Sequence, residues 1–410
     1  MSADAIADCV LSTFDSLPAK RKPRQRDDGA REWVPLSGIV LSKGTGMKCL
    51  PASKLPLAHG AVLHDWHAEV LAIRAFNRFL VQECADLAAA GLRSSTFIRR
   101  REDTEITTAE FQPFAIKEDV KIHMYCSEVP CGDASMELVM EAQEDATPWP
   151  IPPAATAPSR RIGTEEETNN ATLLSLRGRS HFSLLGHIRL KPSRPDAPPT
   201  LSKSCTDKLA LVQTTSLLSS LTSLLLTPRN AYLSTLVLPA SQHVPVATAR
   251  AFSTSGRMSD ITPSMTTKWV SQGSGYGFHP FKIETVDREF AYSRRSLPSS
   301  RAPIASNISA VYTPHFQETL IGGVLQGRKQ FDPRGASRLC RKSMWKAAAD
   351  AAALLAIPVL VKATTGVTYQ DIKAGGLLSG RRCVKEDVKG KDGPLKGWLR
   401  NEGDGCFELD

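Results

Sequence analysis

The stretch DVKIHMYC, residues 119–126, spaces Val120, Ile122, Met124 and Cys126 two apart, so all four face one side of a half-buried strand. It runs straight into SEVPCGDASMELVMEAQ, residues 127–143, where Pro130 stands at a helix entrance and the residues after it propagate a helix. A strand that feeds a helix constrains the fold strongly, because each element has one apolar face to bury and the two must share a layered core. The same order recurs elsewhere. WVPLSGIVLSKGTG (33–46) reads as a strand ending in a Gly-rich turn, and a long helix from about residue 67 follows, with Val70, Ile73, Phe76, Asn77 and Leu80 at helical spacing. CTDKLALVQTTSLLSSLTSLLL (205–226) reads as a helix, NAYLSTLVL (230–238) as a strand, GASRLCRKSMWKAAADAAALL (335–355) as a helix, and residues 3–16 as an opening helix. No internal repeat is present. The pattern predicts an α/β fold, a central sheet flanked by helices, in one domain over residues 1–410. Two flexible insertions are expected: near 92–116, which is charged and poorly periodic, and near 145–180, rich in Pro, Ala, Thr and charge.

Candidate chemistry sits at the helix entrances. His67 and Glu69, in LHDWHAEV, are two residues apart, so in mid-helix they would point in different directions. At a helix mouth the first turn can direct both toward one point on the axis, with Asp65 just ahead as a capping partner. Cys131 follows Pro130 at the second entrance, where the helix dipole favours the thiolate that a metal requires. Zinc deamination uses three protein ligands, a position open to water, and a carboxylate that moves protons without binding the metal. Its short signature is H-x-E followed by P-C-x-x-C. Ala134 occupies the place of the second cysteine, so a third ligand must come from elsewhere. Cys126 lies on the apolar side of a strand and reads as a packed thiol. Cys205, in the polar turn TLSKSCTDK before a helix, is the better candidate. Spacing alone does not decide between a zinc site and coincidence.

A formal net charge of +9 favours an anionic partner such as nucleic acid or a phosphorylated ligand, and the basic run at residues 20–26 fits either an RNA contact or an import signal. Nine scattered cysteines argue against a disulfide framework and for a reducing compartment. The start MSADAIADCVLSTF lacks the pattern of a signal peptide, and the most apolar run, residues 347–361, is interrupted by Asp350 and Pro358. A soluble intracellular protein of the cytoplasm or nucleus is expected, with no membrane contact.

KGTGMKCL, LHDWHAEVLA, PCGDASMELVM, TLSKSCTDKLA and GVLQGRKQFDPRGASRLC, with TYQDIK and GWLRN more faintly, follow one another in the order found in the adenosine deaminases acting on RNA, which this chain resembles over nearly its whole length. Ser135 and the absence of a double-stranded RNA-binding domain are similar to the tRNA-acting branch. The resemblance implies a cytidine-deaminase-like core, enlarged as in the editase domain. It implies zinc on His67, Cys131 and Cys205, Glu69 as proton shuttle, and hydrolysis of adenosine to inosine at the position just 3′ of the anticodon of alanine tRNA. It implies a backbone contact for Lys48, beside which Met47 replaces a common threonine. It also implies a buried inositol hexakisphosphate, held by Arg74, Lys208, Lys329, Tyr369, Lys373 and Trp398. Ile73, Leu211 and Val212 replace the arginines and tryptophan common in that shell.

Overall fold

The computed structural model describes residues 1–25, 30–40, 42–142, 176–178, 180–192, 197–297 and 304–409. In chain order the elements are α1 (Ala3–Asp15), β1 (Glu32–Trp33), β2 (Leu36–Ile39), β3 (Ser42–Thr45), α2 (Ala68–Ala90), β4 (Ile98–Arg100), β5 (Phe114–Ile116), β6 (Ile122–Cys126) and α3 (Met136–Glu141). Then come α4 (Cys205–Thr215), β7 (Leu233–Pro239), α5 (Pro245–Phe252), α6 (Pro263–Ser271), β8 (Lys282–Val286), β9 (Ile304–Ala305), β10 (Ser309–Tyr312), β11 (Gln317–Ile321) and β12 (Val324–Leu325). Four helices close the series: α7 (Arg341–Leu355), α8 (Pro358–Thr364), α9 (Tyr369–Ala374) and α10 (Ser379–Lys389).

An eight-stranded sheet runs β12-β11-β10-β3-β2-β6-β7-β8, with β6, β7 and β8 parallel and the other neighbours antiparallel. The period-two reading of β6 holds. Ile122, Met124 and Cys126 join the large core under α2 and α7, while Tyr125 packs with Ile6, Val10 and Phe14 of α1 on the opposite face. The sheet is thus a layer between helices, as the alternating elements predict, and α2 lies across β2, β3 and β10.

Three segments differ from their sequence reading. Residues 33–46 hold a hairpin, β2 paired with β3 from Leu36↔Thr45 to Ile39↔Ser42, instead of one strand, and no Asn-Gly or Asp-Gly marks the reversal. The helix begun at Cys205 stops at Thr215, because Ser216 turns left-handed (φ +57°) and the leucines beyond it bury themselves in turns and a 3-10 segment. Serines and threonines there bond nearby backbone in competition with the helix ladder: Ser219 Oγ accepts from the Thr222 N–H, and Ser223 Oγ donates to the Ser219 carbonyl. Residues 92–116 stand outside the main sheet, but β4 and β5 pair with each other and bury Ile98, Phe114 and Ile116 in the core. Most of the 145–180 segment lies outside the described residues. No helix among the described residues is long and apolar enough to cross a membrane.

Candidate metal centre and active site

His67 is the N-cap of α2, so its side chain leaves the helix at the mouth, and its backbone N–H donates to Asp65 Oδ1 at 3.0 Å. The loop before it is stapled by a tail segment: Asp404 accepts from the Gly60 N–H at 2.7 Å, from His64 Nε2 at 2.5 Å and from Arg341 Nη1 at 3.3 Å. Glu69 sits in the first turn of α2, 6% exposed. Beyond the C-terminal end of β6 the chain reverses to place Cys131 opposite. Gly132 makes this possible, since at φ +117° a Cβ would sit 2.3 Å from Ser204 Oγ.

Cys205 is the first residue of α4, capped by Ser204, whose hydroxyl accepts from the Asp207 N–H. The Cys205 N–H donates to Cys131 Sγ at 3.4 Å. The dipole favouring the Cys131 thiolate is therefore that of α4, and not of the short α3 that follows Cys131 in sequence. Asp207 is fully buried and accepts from Ser204 Oγ, the Arg189 N–H and Arg257 Nη1, which fixes the entrance of α4.

One ligand atom each from His67, Cys131 and Cys205 lies within 4.8 Å of the other two, with His67 Nδ1 3.8 Å from Cys131 Sγ. Two thiols and an imidazole at that separation match the preferences of zinc, and three protein ligands leave a coordination position for water. Glu69 is outside that mutual set. Cys126 is buried on β6, where Ser37 Oγ donates to its sulfur at 3.3 Å, as a packed thiol should be. Hydrogen bonding from Cys205 holds Cys131 well below the ordinary thiol range, and Lys191 and His67 add to this. Burial, reinforced by the Cys131 thiolate, raises the Glu69 carboxyl above its usual range.

Sequence reasoning missed Lys191. Its buried ammonium donates to Asp65 Oδ2 at 2.8 Å and to Cys205 Sγ at 3.1 Å. Asp65 Oδ2 also accepts from Ser202 Oγ at 2.5 Å and from Lys208, whose ammonium donates to Ser202 Oγ at 2.7 Å. Burial pushes the Asp65 carboxyl up, but Lys191 and Lys208 outweigh it and hold it well below the carboxylate range. Outer partners of this kind orient ligands and tune their basicity. Lys191 has neither periodicity nor a motif around it, so only the fold reveals it.

A second cluster lies beyond Lys208. Lys373 is lowered to about 8, and Lys389 to about 7, first by burial and then by neighbouring cations that include Arg381 and Arg400. Lys385 is held well below the ordinary lysine range by burial and then by Arg381, Lys389 and Lys373, and Lys203 is lowered to about 8 by burial and Lys208. Dense protein surrounds Lys373, Lys385 and Lys389, yet each keeps accessible surface, as side chains lining a concave recess do. Lys389 Nζ stands 3.9 Å from the centre of the Trp398 ring, and Lys373 and Arg341 face Tyr369. Arg74 is beside Arg341, and His64 Nδ1 is buried with no hydrogen-bond partner. The crowded cations fit a polyanion such as inositol hexakisphosphate. Of the residues expected to hold it, Arg74, Tyr369, Lys373 and Trp398 line this recess and Lys208 joins it to Asp65. Lys329 does not join them: it is exposed on the turn after β12, and Arg341, at the start of α7, stands in the recess. Ile73 and Val212 pack against the core, so the apolar replacements are absorbed there. Lys48 is exposed and bonds Asn307 Oδ1 at the rim.

Residues 42–400 match the adenosine-deaminase (editase) domain. The chain belongs to the adenosine-deaminase (editase) family. It is an enzyme of the deaminase class, and its eight-stranded sheet between helices is the family's α/β architecture. It is similar to tRNA-specific adenosine deaminase 1 of Schizosaccharomyces pombe, at 34% identity over 97% of this chain and 95% of the relative. The Saccharomyces cerevisiae protein of the same name is 30% identical over 53% of this chain and 54% of its own length. The double-stranded RNA-specific adenosine deaminase of Mus musculus is 33% identical over 24% of this chain and 8% of its own.

Proposed function

We propose that this editase-family chain deaminates adenosine to inosine in tRNA by zinc-dependent hydrolysis, at the position immediately 3′ of the anticodon of alanine tRNA. The observation carrying the reading is the convergence of His67, Cys131 and Cys205 with a buried Glu69 beside them but outside the ligand set. The similarity to tRNA-specific relatives supports tRNA as the substrate. Zinc in that set supplies the Lewis acidity that makes water a nucleophile near neutral pH.

The chain's own groups do the rest. Water adds its oxygen to C6 of adenine while Glu69 takes the proton, and the same carboxyl returns it to the exocyclic nitrogen. The C6–N bond breaks, ammonia leaves, and inosine keeps the oxygen. A carboxyl raised by burial is suited to carrying a proton in both directions. Lys191 and Asp65 keep Cys205 and His67 oriented, and Lys48 at the rim contacts the RNA backbone. The recess of Arg74, Tyr369, Lys373 and Trp398 would hold inositol hexakisphosphate as a structural polyanion. We also read the chain as one soluble, intracellular domain.

The test is inosine formation in unmodified alanine tRNA by purified protein, with zinc quantified, beside Glu69→Ala. Wild type should form inosine, and Glu69→Ala should keep zinc and lose the reaction. A variant that still forms inosine would sink the role of Glu69. Zinc-loaded wild type inactive on alanine tRNA would remove the substrate assignment.

A further inference from the structure

Residues 20–31 carry six Lys or Arg against two Asp, and the reaction as proposed makes no use of them. Their placement gives them a role. Trp66, next to His67, donates its N–H to the Lys48 carbonyl at 3.0 Å, and the Lys48 ammonium bonds Asn307. Ser306 donates its N–H to Trp33 O at 2.9 Å and its hydroxyl to Glu32 Oε2 at 2.8 Å, within the parallel pairing of β1 and β9. Glu32 in turn donates its N–H to Arg24 O at 2.9 Å. A continuous line of direct contacts thus leads from the mouth of α2, through Lys48 and Asn307, to the basic segment.

Among the described residues, the basic side chains of the segment divide into two groups. Arg21 bonds Gln317 and Lys22 bonds Asp15 O over the Phe14 ring, so both help to hold the segment to the body. Lys20, Arg24 and Arg31 are exposed, and among the described residues none of their side-chain cations pairs with a carboxylate, although the Arg24 N–H donates to Glu32 Oε2 at 3.4 Å. Three outward cations whose side chains pair with no carboxylate among the described residues, on a segment anchored to the active-site rim, suit a polyphosphate backbone.

We infer that Lys20, Arg24 and Arg31 form the outer part of the RNA-binding surface and take phosphodiester groups flanking the adenosine that enters the metal site. The inference rests on the tRNA reading. It assigns no base recognition to these residues; they set register and affinity through the backbone.

The experiment compares full-length, zinc-loaded wild type with the triple variant Lys20→Gln, Arg24→Gln, Arg31→Gln. Binding of alanine tRNA transcript is measured between about 50 and 200 mM salt, with KM and kcat for inosine formation. The charge-matched control Lys117→Gln, Lys121→Gln, Lys282→Gln lies in the turn between β5 and β6 and at the N-terminal ends of β6 and β8, away from the strand ends that lead to the site. Each phosphate contact adds about 0.7–0.9 to the slope of log affinity against log salt, so the triple variant should lose roughly 2–3 units of slope. Its deficit against wild type should then shrink roughly 20- to 40-fold across a four-fold rise in salt. KM should rise with kcat kept, and the control should follow wild type.

Equal slopes and KM for the triple variant and wild type would overturn the inference. If that variant also lost nuclear accumulation in cells, the segment would be an import signal. Absence of inosine in the wild type is a separate result and counts against the tRNA reading.

Discussion

Asp65→Asn tests the electrostatics behind the metal centre. The substitution keeps an acceptor for the His67 N–H but removes the charge facing Lys191, which is 3% exposed in its side chain, and Lys208, which is 25% exposed. Breaking a buried ion pair by removing one partner costs about 3–5 kcal/mol, because the other charge is left buried. The Lys208 pair reaches solvent and adds at most about 1 kcal/mol. An unfolding entropy of about 2.1 cal/mol/K per residue gives roughly 0.9 kcal/mol/K for this chain, so the melting temperature should fall by about 3–7 °C. The assay is calorimetry of zinc-loaded protein. Removing the stranded cation as well, in Asp65→Asn with Lys191→Met, should recover most of the loss. Because the Asp65 pKa is depressed in the fold, its contribution is fully present above the ordinary carboxylate range and is lost only as pH falls through the folded value. The deficit of the variant should therefore be constant from about pH 8 to pH 5. An unchanged melting temperature, or a double variant that loses the two single effects added together, would refute the reasoning.

Cys205→Ala should remove bound zinc, whereas Cys126→Ala should keep it and cost about 1 kcal/mol from a small cavity, as read by metal analysis and denaturant unfolding. In the cation-lined recess Lys373, Lys389 and Lys203 are held below the unfolded lysine value. The unfolded chain therefore binds more protons, and stability without a polyanion should rise with pH from about 7 to about 10. Inositol hexakisphosphate should raise the melting temperature most near neutral pH and flatten this dependence; a pH-independent increment would argue against protonated lysines at the ligand.

The sequence showed most clearly what depends on local pattern. The faces of β6, the entrance of α2 and the His67–Glu69 pair followed from spacing and capping, and the polar turn at Cys205 set it apart from Cys126. What escaped depends on contacts between distant segments. Ser216 stops a helix because the leucines after it find a core elsewhere. Lys191 matters only once 186–191 has been laid beside α4. Arg341, Arg381, Lys385 and Lys389 sit on separate turns of α7 and α10, and a basic helix face in a sequence is normally a solvated one. Lys329 was expected from the family resemblance, but the chain turns at 333–335 and leaves the lysine exposed, while Arg341 faces inward at the start of α7.

The staple made by Asp404 bears on how the enzyme comes into being. His67 and Glu69 leave the ribosome more than 300 residues before the carboxylate that clamps Gly60 and His64 in the loop leading to them. During synthesis that loop has no clamp, and a chain that ends between residues 205 and 404 carries every proposed zinc ligand with an unfastened active-site entrance. Assembly of the entrance is therefore a late event that joins the last residues of the fold to a loop made near its beginning.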